Sequence, residues 1–133
     1  MTLNPTPKTK KTEASQPSQP RSTDEYPMAV LFTDIVGSTK FFKSHGDLVG
    51  RDMLQRHHDM ASPIIVEHGG ALVKILGDSI MAYFFDCKEA LKSAIKIQQE
   101  LQMYNQRSDP DDHIHIKVGI HFGDGIIEEK DIF

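Results

Sequence analysis

The sequence predicts an α/β (α+β) fold with a ferredoxin-like βαββαβ core, and three features of the chain predict it. Short apolar runs typical of strands alternate with longer helical patterns, in the order strand, helices, strand, strand, helix, strand. Gly77-Asp78 separates the two central runs and suits a hairpin turn. The last run, from His113, alternates between apolar and polar residues as an antiparallel strand does.

Length and composition limit the function classes. The 133 residues suffice for one modest domain, and a formal net charge of −4 does not favour nucleic-acid binding. No apolar stretch approaches the roughly 18 residues of a membrane span, and the amino terminus lacks the apolar core of a signal peptide. Because Cys87 is the only cysteine, no internal disulfide can form, and we expect a cytoplasmic protein.

The amino-terminal part divides into a tail and a first strand. Residues 1–26 are rich in Thr, Pro, Ser and Lys with little to bury, so we expect a disordered tail followed by one domain over residues 27–133. The apolar residues 28–32 predict a buried strand that ends at Thr33-Asp34.

The helical region that follows is expected in two parts. Ser38 and Thr39 are candidates to cap a short first helix. We expect a kink at Pro63 in the longer second helix and its end at Gly69-Gly70. One face of that helix carries the predicted core residues Leu54, His58, Ala61 and Ile65.

The rest of the domain is predicted to contain two strands, a helix and a last strand. Residues 71–76 and 79–85 predict two strands, and Asp86 with Glu89 predicts a capping box for the next helix. The Gly-rich residues 123–125 are expected to bend or bulge the last strand. The helix is predicted to bury Ala90, Leu91, Ala94, Ile95 and Leu101, and the last strand to turn Ile114, Ile116, Val118, Ile120 and Phe122 to one side.

Two acidic residues mark a candidate site. Asp34 ends the first strand and Asp78 lies in the turn between the second and third, and the predicted topology puts both at one edge of the sheet. Two close carboxylates repel unless a cation lies between them, and Mg²⁺ or Mn²⁺ prefers such oxygen ligands. Either residue alone is better explained as a cap or turn residue, whereas the pair favours a metal site.

The loop after Asp34 adds a second signal. Residues 35–39 open a helix, and their backbone N–H groups, with the small Gly37, suit phosphate oxygens. The loop is not a Walker A sequence, so it would be a weak indication without the two carboxylates.

These motifs resemble a known family. Residues 28–133 look like the first part of a class III nucleotidyl cyclase catalytic domain, the family of adenylate and guanylate cyclases, so the domain would be C-terminally incomplete. The matching segments are residues 31–39 (LFTDIVGST), 68–70 (HGG), 74–82 (KILGDSIMA), 118–123 (VGIHFG) and 131–133 (DIF).

The resemblance implies a catalytic metal site and a phosphate site. Asp34 and Asp78, with Ile35, would hold two Mg²⁺ or Mn²⁺ ions. Gly37, Ser38 and Thr39 of the following loop would bind the triphosphate of ATP. The reaction so implied converts ATP to cyclic AMP and pyrophosphate as the ribose 3′-oxygen attacks the α-phosphorus.

The resemblance also implies how the base is read. Lys74 and Asp131 match positions that contact the purine, in an active site at the interface of a head-to-tail homodimer or pseudo-heterodimer. A Lys ammonium can donate to adenine N1 and a carboxylate can accept from the N6 amino group, whereas guanine presents the reverse pattern. From the residues alone, Lys74 could equally be a surface strand residue and Asp131 a loop acid.

Three alternatives to an adenylate cyclase are also consistent with the sequence. They are a degenerate, non-catalytic regulatory domain, a guanylate cyclase, and another palm-like enzyme, although the Gly-Gly-Asp-Glu-Phe signature of diguanylate cyclases is absent. The family also has an Asn and an Arg after the position of Phe133, and this sequence does not contain that segment. We therefore expect the 133-residue chain alone to have little or no cyclase activity.

Overall fold

A computed structural model describes residues 25–128 and 131–132 of the chain. Nearly all of the tail expected over residues 1–26 lies outside the described residues, as does Phe133, and the first strand begins at Tyr26. The elements are β1 (Tyr26–Ile35), α1 (Ser38–Glu67), β2 (Ala71–Leu76), β3 (Ser79–Phe84), α2 (Cys87–Gln106), a 3₁₀ turn (Pro110–Asp112), β4 (Ile116–Gly125), β5 (Ile127–Glu128) and β6 (Asp131–Ile132).

The main sheet has four strands in the order β2-β3-β1-β4, and every neighbouring pair is antiparallel. This order confirms the predicted ferredoxin-like arrangement, in which β3 lies between β1 and β2. Strands β5 and β6 form a separate antiparallel pair. None of the described helices is long and apolar enough to cross a membrane.

The two faces of the sheet differ in what they contact. Along β1, the alternate residues Ala29, Leu31, Thr33 and Ile35 are buried. They pack with α1 and α2 in one apolar core. The face away from the helices, called the distal face below, carries the exposed side chains of Phe32 and Asp34. The core therefore lies on one side of the sheet, and Asp34 projects from the other.

Helix α1 differs from its prediction in three ways. The predicted division into a short and a longer helix is confirmed, with the break at Gly46, whose φ of 86° and ψ of 172° are outside the helical region, but the backbone stays helical at Pro63. A positive φ costs a glycine little. Pro63 lies on the exposed side of the helix, where water can hydrogen-bond to the preceding-turn carbonyl that lacks a partner because proline has no N–H. The amino-terminal cap is Gly37, and neither Ser38 nor Thr39 supplies a capping side chain.

The buried face of α1 is also rotated from the predicted one. His57 is only 2% exposed and belongs to the buried set with Met53, Ala61 and Ile65, whereas His58 is half-buried. The two sets share Ala61 and Ile65, and the difference of one residue between His58 and His57 turns this part of the buried face by about 100°.

Helix α2 begins as predicted, but its buried stripe differs. The Asp86 side chain accepts a hydrogen bond from the Lys88 backbone N–H at 2.9 Å, whereas the Glu89 side chain accepts from Lys92 and is not seen to complete the predicted capping box. Leu91 and Ile95, predicted to be in the core, are 54% and 51% exposed. The buried positions are Ala90, Ser93, Ala94, Ile97 and Leu101, which recur with the helical period.

The strands confirm most of the predicted alternation, with two exceptions. Phe122, predicted to share the buried side of the last strand, is 56% exposed on the edge strand β4. The bulge expected over residues 123–125 is wrong, since β4 pairs with β1 without a register shift through Gly125. The irregularity occurs instead between Leu72 and Lys74, in the pairing of β2 with β3.

Candidate active site

The backbones that carry the two predicted acidic residues meet at one edge of the sheet. Asp34 is the register partner of Ser79, at the start of β3. The next residue, Ile35, donates its backbone N–H to the Asp78 carbonyl at 3.1 Å. Gly77, with φ of 58°, allows the tight turn that brings Asp78 there. Asp34 and Asp78 are therefore offset by about one residue across a strand pair.

The two side chains have different surroundings. The Asp34 side chain is exposed on the distal face, and the Asp78 side chain is half-buried. The Ser38 hydroxyl donates a hydrogen bond to Oδ2 of Asp78. Ser38 is the first residue of α1 and is itself 8% exposed. The start of α1 is therefore tied to the turn that carries Asp78, a contact that sequence spacing could not have given.

The loop over residues 35–39 cannot offer all of its amides to a ligand, which corrects the expectation. The Ile35 N–H is used by the Asp78 carbonyl, and the Val36 N–H donates to the His115 carbonyl at 2.8 Å. Both amides were expected to be available to phosphate. Their hydrogen-bond partners are distant in the sequence, so no local pattern indicates that the amides are already used.

The later part of the loop remains suited to an anion. Gly37 adopts the left-handed conformation, φ 73°, and α1 begins directly after it. The first N–H groups of a helix have no partner within the helix and carry its positive end. An open pocket of about 420 Å³ lies beside them, lined by Ser38, Thr39, Phe42, Lys43, Leu54, Gly77 and Asp78.

The two residues expected to contact the purine lie on neighbouring strands. Lys74 is half-buried on β2 and pairs in register with Met81. Asp131 lies in β6, where its backbone pairs with Glu128, and the β6 backbone lies beside β2. The Asp131 side chain is outside the described part of the structure.

Lys117 is a residue that the sequence analysis did not single out. It is the direct register partner of Asp34 on β4, and both side chains are exposed. Directly paired residues point to the same face with Cβ atoms about 4.5–5.5 Å apart. An ammonium group and a carboxylate therefore share this edge. The alternation of the last strand puts Lys117 on its polar face, but only the observed register with β1 shows that it lies opposite Asp34.

His57 is a second such residue. Its Nε2 lies 3.0 Å from Oγ1 of Thr33, and both side chains are fully buried. Burial lowers the pKa of His57 below its usual 6.5, and the neighbouring His58 acts in the same direction. The negative charges of Asp78 and Asp34 oppose this shift.

The donor set fits a hard divalent cation. Among residues 25–128, no three His, Cys, Asp or Glu side chains cluster as a metal site. Structural zinc takes four such ligands, whereas Mg²⁺ commonly takes one or two carboxylates and completes its shell with water and substrate phosphates. Two acids on adjoining segments at one edge of the sheet, one of them hydrogen-bonded to the first residue of α1, match the second case.

Comparisons with known proteins agree with this fold. Residues 21–129 match the family described as adenylate and guanylate cyclase catalytic domain. A putative adenylate cyclase 3 of Rhizobium meliloti is 26% identical over 105 residues, which are 79% of this chain and 18% of that protein. The receptor-type adenylate cyclase GRESAG 4.3 of Trypanosoma brucei brucei is 32% identical over 95 residues, 71% of this chain and 7% of that protein.

A solved structure has a similar fold. The adenylate/guanylate cyclase/hydrolase from Silicibacter pomeroyi superposes with a TM-score of 0.68 at 31% identity, over 83% of this chain and 63% of that one. The chain thus spans less than a fifth of these two curated relatives and under two thirds of the solved chain. The matched profile covers most of the sequence, and the chain belongs to the adenylate and guanylate cyclase catalytic domain family.

Proposed function

We propose that this chain is part of the catalytic domain of an adenylate cyclase, a lyase that converts ATP to 3′,5′-cyclic AMP and pyrophosphate. The observation that carries the proposal is the hydrogen bond from the Ile35 N–H to the Asp78 carbonyl, because it joins the two segments that bear Asp34 and Asp78. The curated relatives named above are adenylate cyclases, which supports adenine over guanine.

Asp34, Asp78 and the backbone of Ile35 would hold two Mg²⁺ or Mn²⁺ ions. When bound, such ions favour ionisation of the ribose 3′-hydroxyl and stabilise charge on the phosphates. Ser38 would orient Asp78 through their hydrogen bond, which leaves the second carboxylate oxygen of Asp78 for the cation. Lys117 would reduce repulsion at the edge, since its positive charge lies opposite Asp34.

The triphosphate would lie at the start of α1. The N–H groups of Gly37, Ser38 and Thr39 are among the four that precede the first intrahelical bond, from the Phe41 N–H to the Gly37 carbonyl, and Thr39 lines the adjacent pocket. This restricts the phosphate contacts to the second half of the loop, because Ile35 and Val36 use their N–H groups within the fold.

The base would be read by Lys74 and Asp131 of a second copy in a head-to-tail dimer. Lys74 would donate to adenine N1 and Asp131 would accept from the N6 amino group. The nearness of β2 and β6 supports a joint role, because both residues then come from one chain. Each dimer would have two sites, each with metal ligands from one copy and base contacts from the other.

The test is ATP turnover by the full-length protein with Mn²⁺, beside Asp34→Asn and the control Asp47→Asn. Asp47 is exposed on α1 and outside the site residues. We expect Asp34→Asn to lower production of cyclic AMP by roughly a hundredfold or more, since it removes a charge that acts on the transition state. We expect Asp47→Asn to retain wild-type turnover.

Two results would contradict the proposal. One is equal turnover by the wild type and Asp34→Asn. The other is a linear or dimeric nucleotide product, or cyclic GMP formed from GTP in preference to cyclic AMP from ATP.

A further inference from the structure

The buried contact between Thr33 and His57 has no counterpart elsewhere among the described hydrogen bonds between β1 and α1. The two side chains are separated by 24 residues, and their polar atoms lie 3.0 Å apart within the core. Thr33 is 0% exposed and His57 is 2% exposed. A buried polar pair of this kind is directional, because breaking it leaves an unsatisfied group in a low dielectric.

This contact lies next to the edge of the sheet that carries the two acids. Thr33 immediately precedes Asp34 and Ile35, and its side chain points into the core while Asp34 points to the distal face. A rotation or slide of Thr33 therefore moves Asp34 directly.

Helix α1 thus makes two side-chain contacts with the acidic edge. At its start, Ser38 donates to Asp78 on the β2–β3 turn. Beyond the break at Gly46, His57 bonds to Thr33 on β1. The two parts of α1, on either side of that break, are therefore each bonded to one of the two segments that carry the acids.

We propose that Thr33 and His57 are positioning residues that fix the end of β1, and so hold Asp34 at the separation from Asp78 that a divalent cation requires. The inference rests on the proposed function, because it assumes that the two acids bind metal. Neither residue touches the cation in this proposal. Both act through the backbone of Asp34 and Ile35.

The test measures binding of Mn²⁺ alone to the full-length protein, from the loss of the free-ion signal in electron paramagnetic resonance. Thr33→Val keeps the shape of the side chain and removes the hydroxyl, and we expect it to weaken Mn²⁺ binding by roughly tenfold. Thr33→Ser retains a hydroxyl and should restore binding. Asp34→Asn should abolish binding and thus report that the measured site is this edge.

A matched control separates positioning from loss of stability. Ile65→Val removes one buried methylene near Gly70 and Phe84, at the opposite end of the sheet from Asp78. It should lower the melting temperature as Thr33→Val does and leave Mn²⁺ affinity unchanged. His57→Leu should match Thr33→Val in Mn²⁺ affinity, and the double variant should be no weaker than either single one, because all three lack the same hydrogen bond.

The outcomes are distinct. Wild-type Mn²⁺ affinity in Thr33→Val, or an equal loss of affinity in Ile65→Val, would overturn the positioning role while leaving the metal site intact. Failure of the wild-type chain to bind Mn²⁺, or binding that persists in Asp34→Asn, would overturn the metal site and the positioning role with it.

Discussion

At the scale of single residues, the chemistry of the edge depends on which partner each polar group has. Asp78 accepts from Ser38, and Asp34 lies opposite Lys117. Ser38 was expected from its sequence position to bind phosphate, but its hydroxyl is directed to a carboxylate. Its backbone N–H still lies at the helix start, so the residue can serve both purposes through different atoms.

Lys74 provides a test of base selection at this scale. In Lys74→Ala we expect the affinity for ATP in the presence of Mn²⁺ to fall roughly tenfold and the affinity for GTP to change less, because the lost ammonium donates to an acceptor that adenine has at N1 and guanine lacks. Competition between the two nucleotides, measured with a fluorescent ATP analogue on the full-length protein, gives both affinities.

Lys88→Ala is the matched control for that experiment. Lys88 is an exposed lysine at the start of α2, outside the site residues, and its removal should leave both affinities unchanged. An equal loss of ATP and GTP binding in Lys74→Ala would argue against base reading by this residue.

At the scale of elements, the turn from α1 into β2 depends on a close approach of the backbone. A Cβ atom on Gly70 would lie 2.6 Å from the Phe84 ring and 2.7 Å from Cγ2 of Ile65. We expect Gly70→Ala to lower the free energy of unfolding by about 1–3 kcal/mol, the usual cost of overpacking. Urea denaturation measures the difference.

Gly119→Ala is the corresponding control, because a Cβ there would meet nothing within 4 Å. We expect it to leave the free energy of unfolding nearly unchanged, since Gly119 lies in a regular strand with no steric need for glycine. Equal destabilisation by both substitutions would show that the close approach at Gly70 has no special cost.

The packing of α1 on β1 predicts a pH dependence of stability. Because burial lowers the pKa of folded His57 below 6.5, the unfolded state binds the proton more readily. Stability should therefore be at its full value above about pH 6.5 and fall as the pH drops below it towards the pKa of the folded state. Urea denaturation at several values between about pH 5 and 7.5 measures this slope.

In His57→Leu the slope over this range should be smaller than in the wild type, because that residue no longer titrates. His121→Gln, at an exposed histidine of β4, should keep the wild-type slope. The assignment to His57 would be wrong if both variants had the same slope as the wild type.

At the scale of the whole molecule, the proposed head-to-tail dimer makes a prediction about mixed variants. Asp34→Asn would lose the metal ligands of its own copy, and Lys74→Ala would lose the base contact that its copy contributes. A dimer of one copy of each would have one fully wild-type site. Mixing the two impaired variants should therefore restore up to about a quarter of the wild-type turnover, after random exchange of subunits.

The control is a mixture of Asp34→Asn with Asp78→Asn. Both changes affect the metal side, so every site in every dimer keeps a defect and no recovery is expected. Recovery in this control, or its absence in the first mixture, would contradict an active site shared between two copies.

Part of the site could be anticipated because it follows from element order. Once β1, β2 and β3 are assigned in the ferredoxin-like order, the end of β1 and the β2–β3 turn must lie at one edge, and Asp34 and Asp78 are carried there with them. The faces of the helices were harder to predict. The predicted core contained His58 in place of His57, and Leu91 and Ile95 in place of Ser93 and Ile97. A mixed pattern of apolar and small residues fits two faces of a helix nearly equally, so the sequence did not distinguish them.

By itself, the sequence determined the class of fold, the order of its elements and the convergence of two acids, because local periodicity and turn chemistry act over a few residues and the topology follows from them. Only the tertiary structure decided which loop amides are already used, that Ser38 bonds to Asp78, and that His57 bonds to Thr33. These contacts join residues 24 to 79 positions apart. They depend on strand register and on the rotation of α1, and no local pattern in a single sequence specifies either.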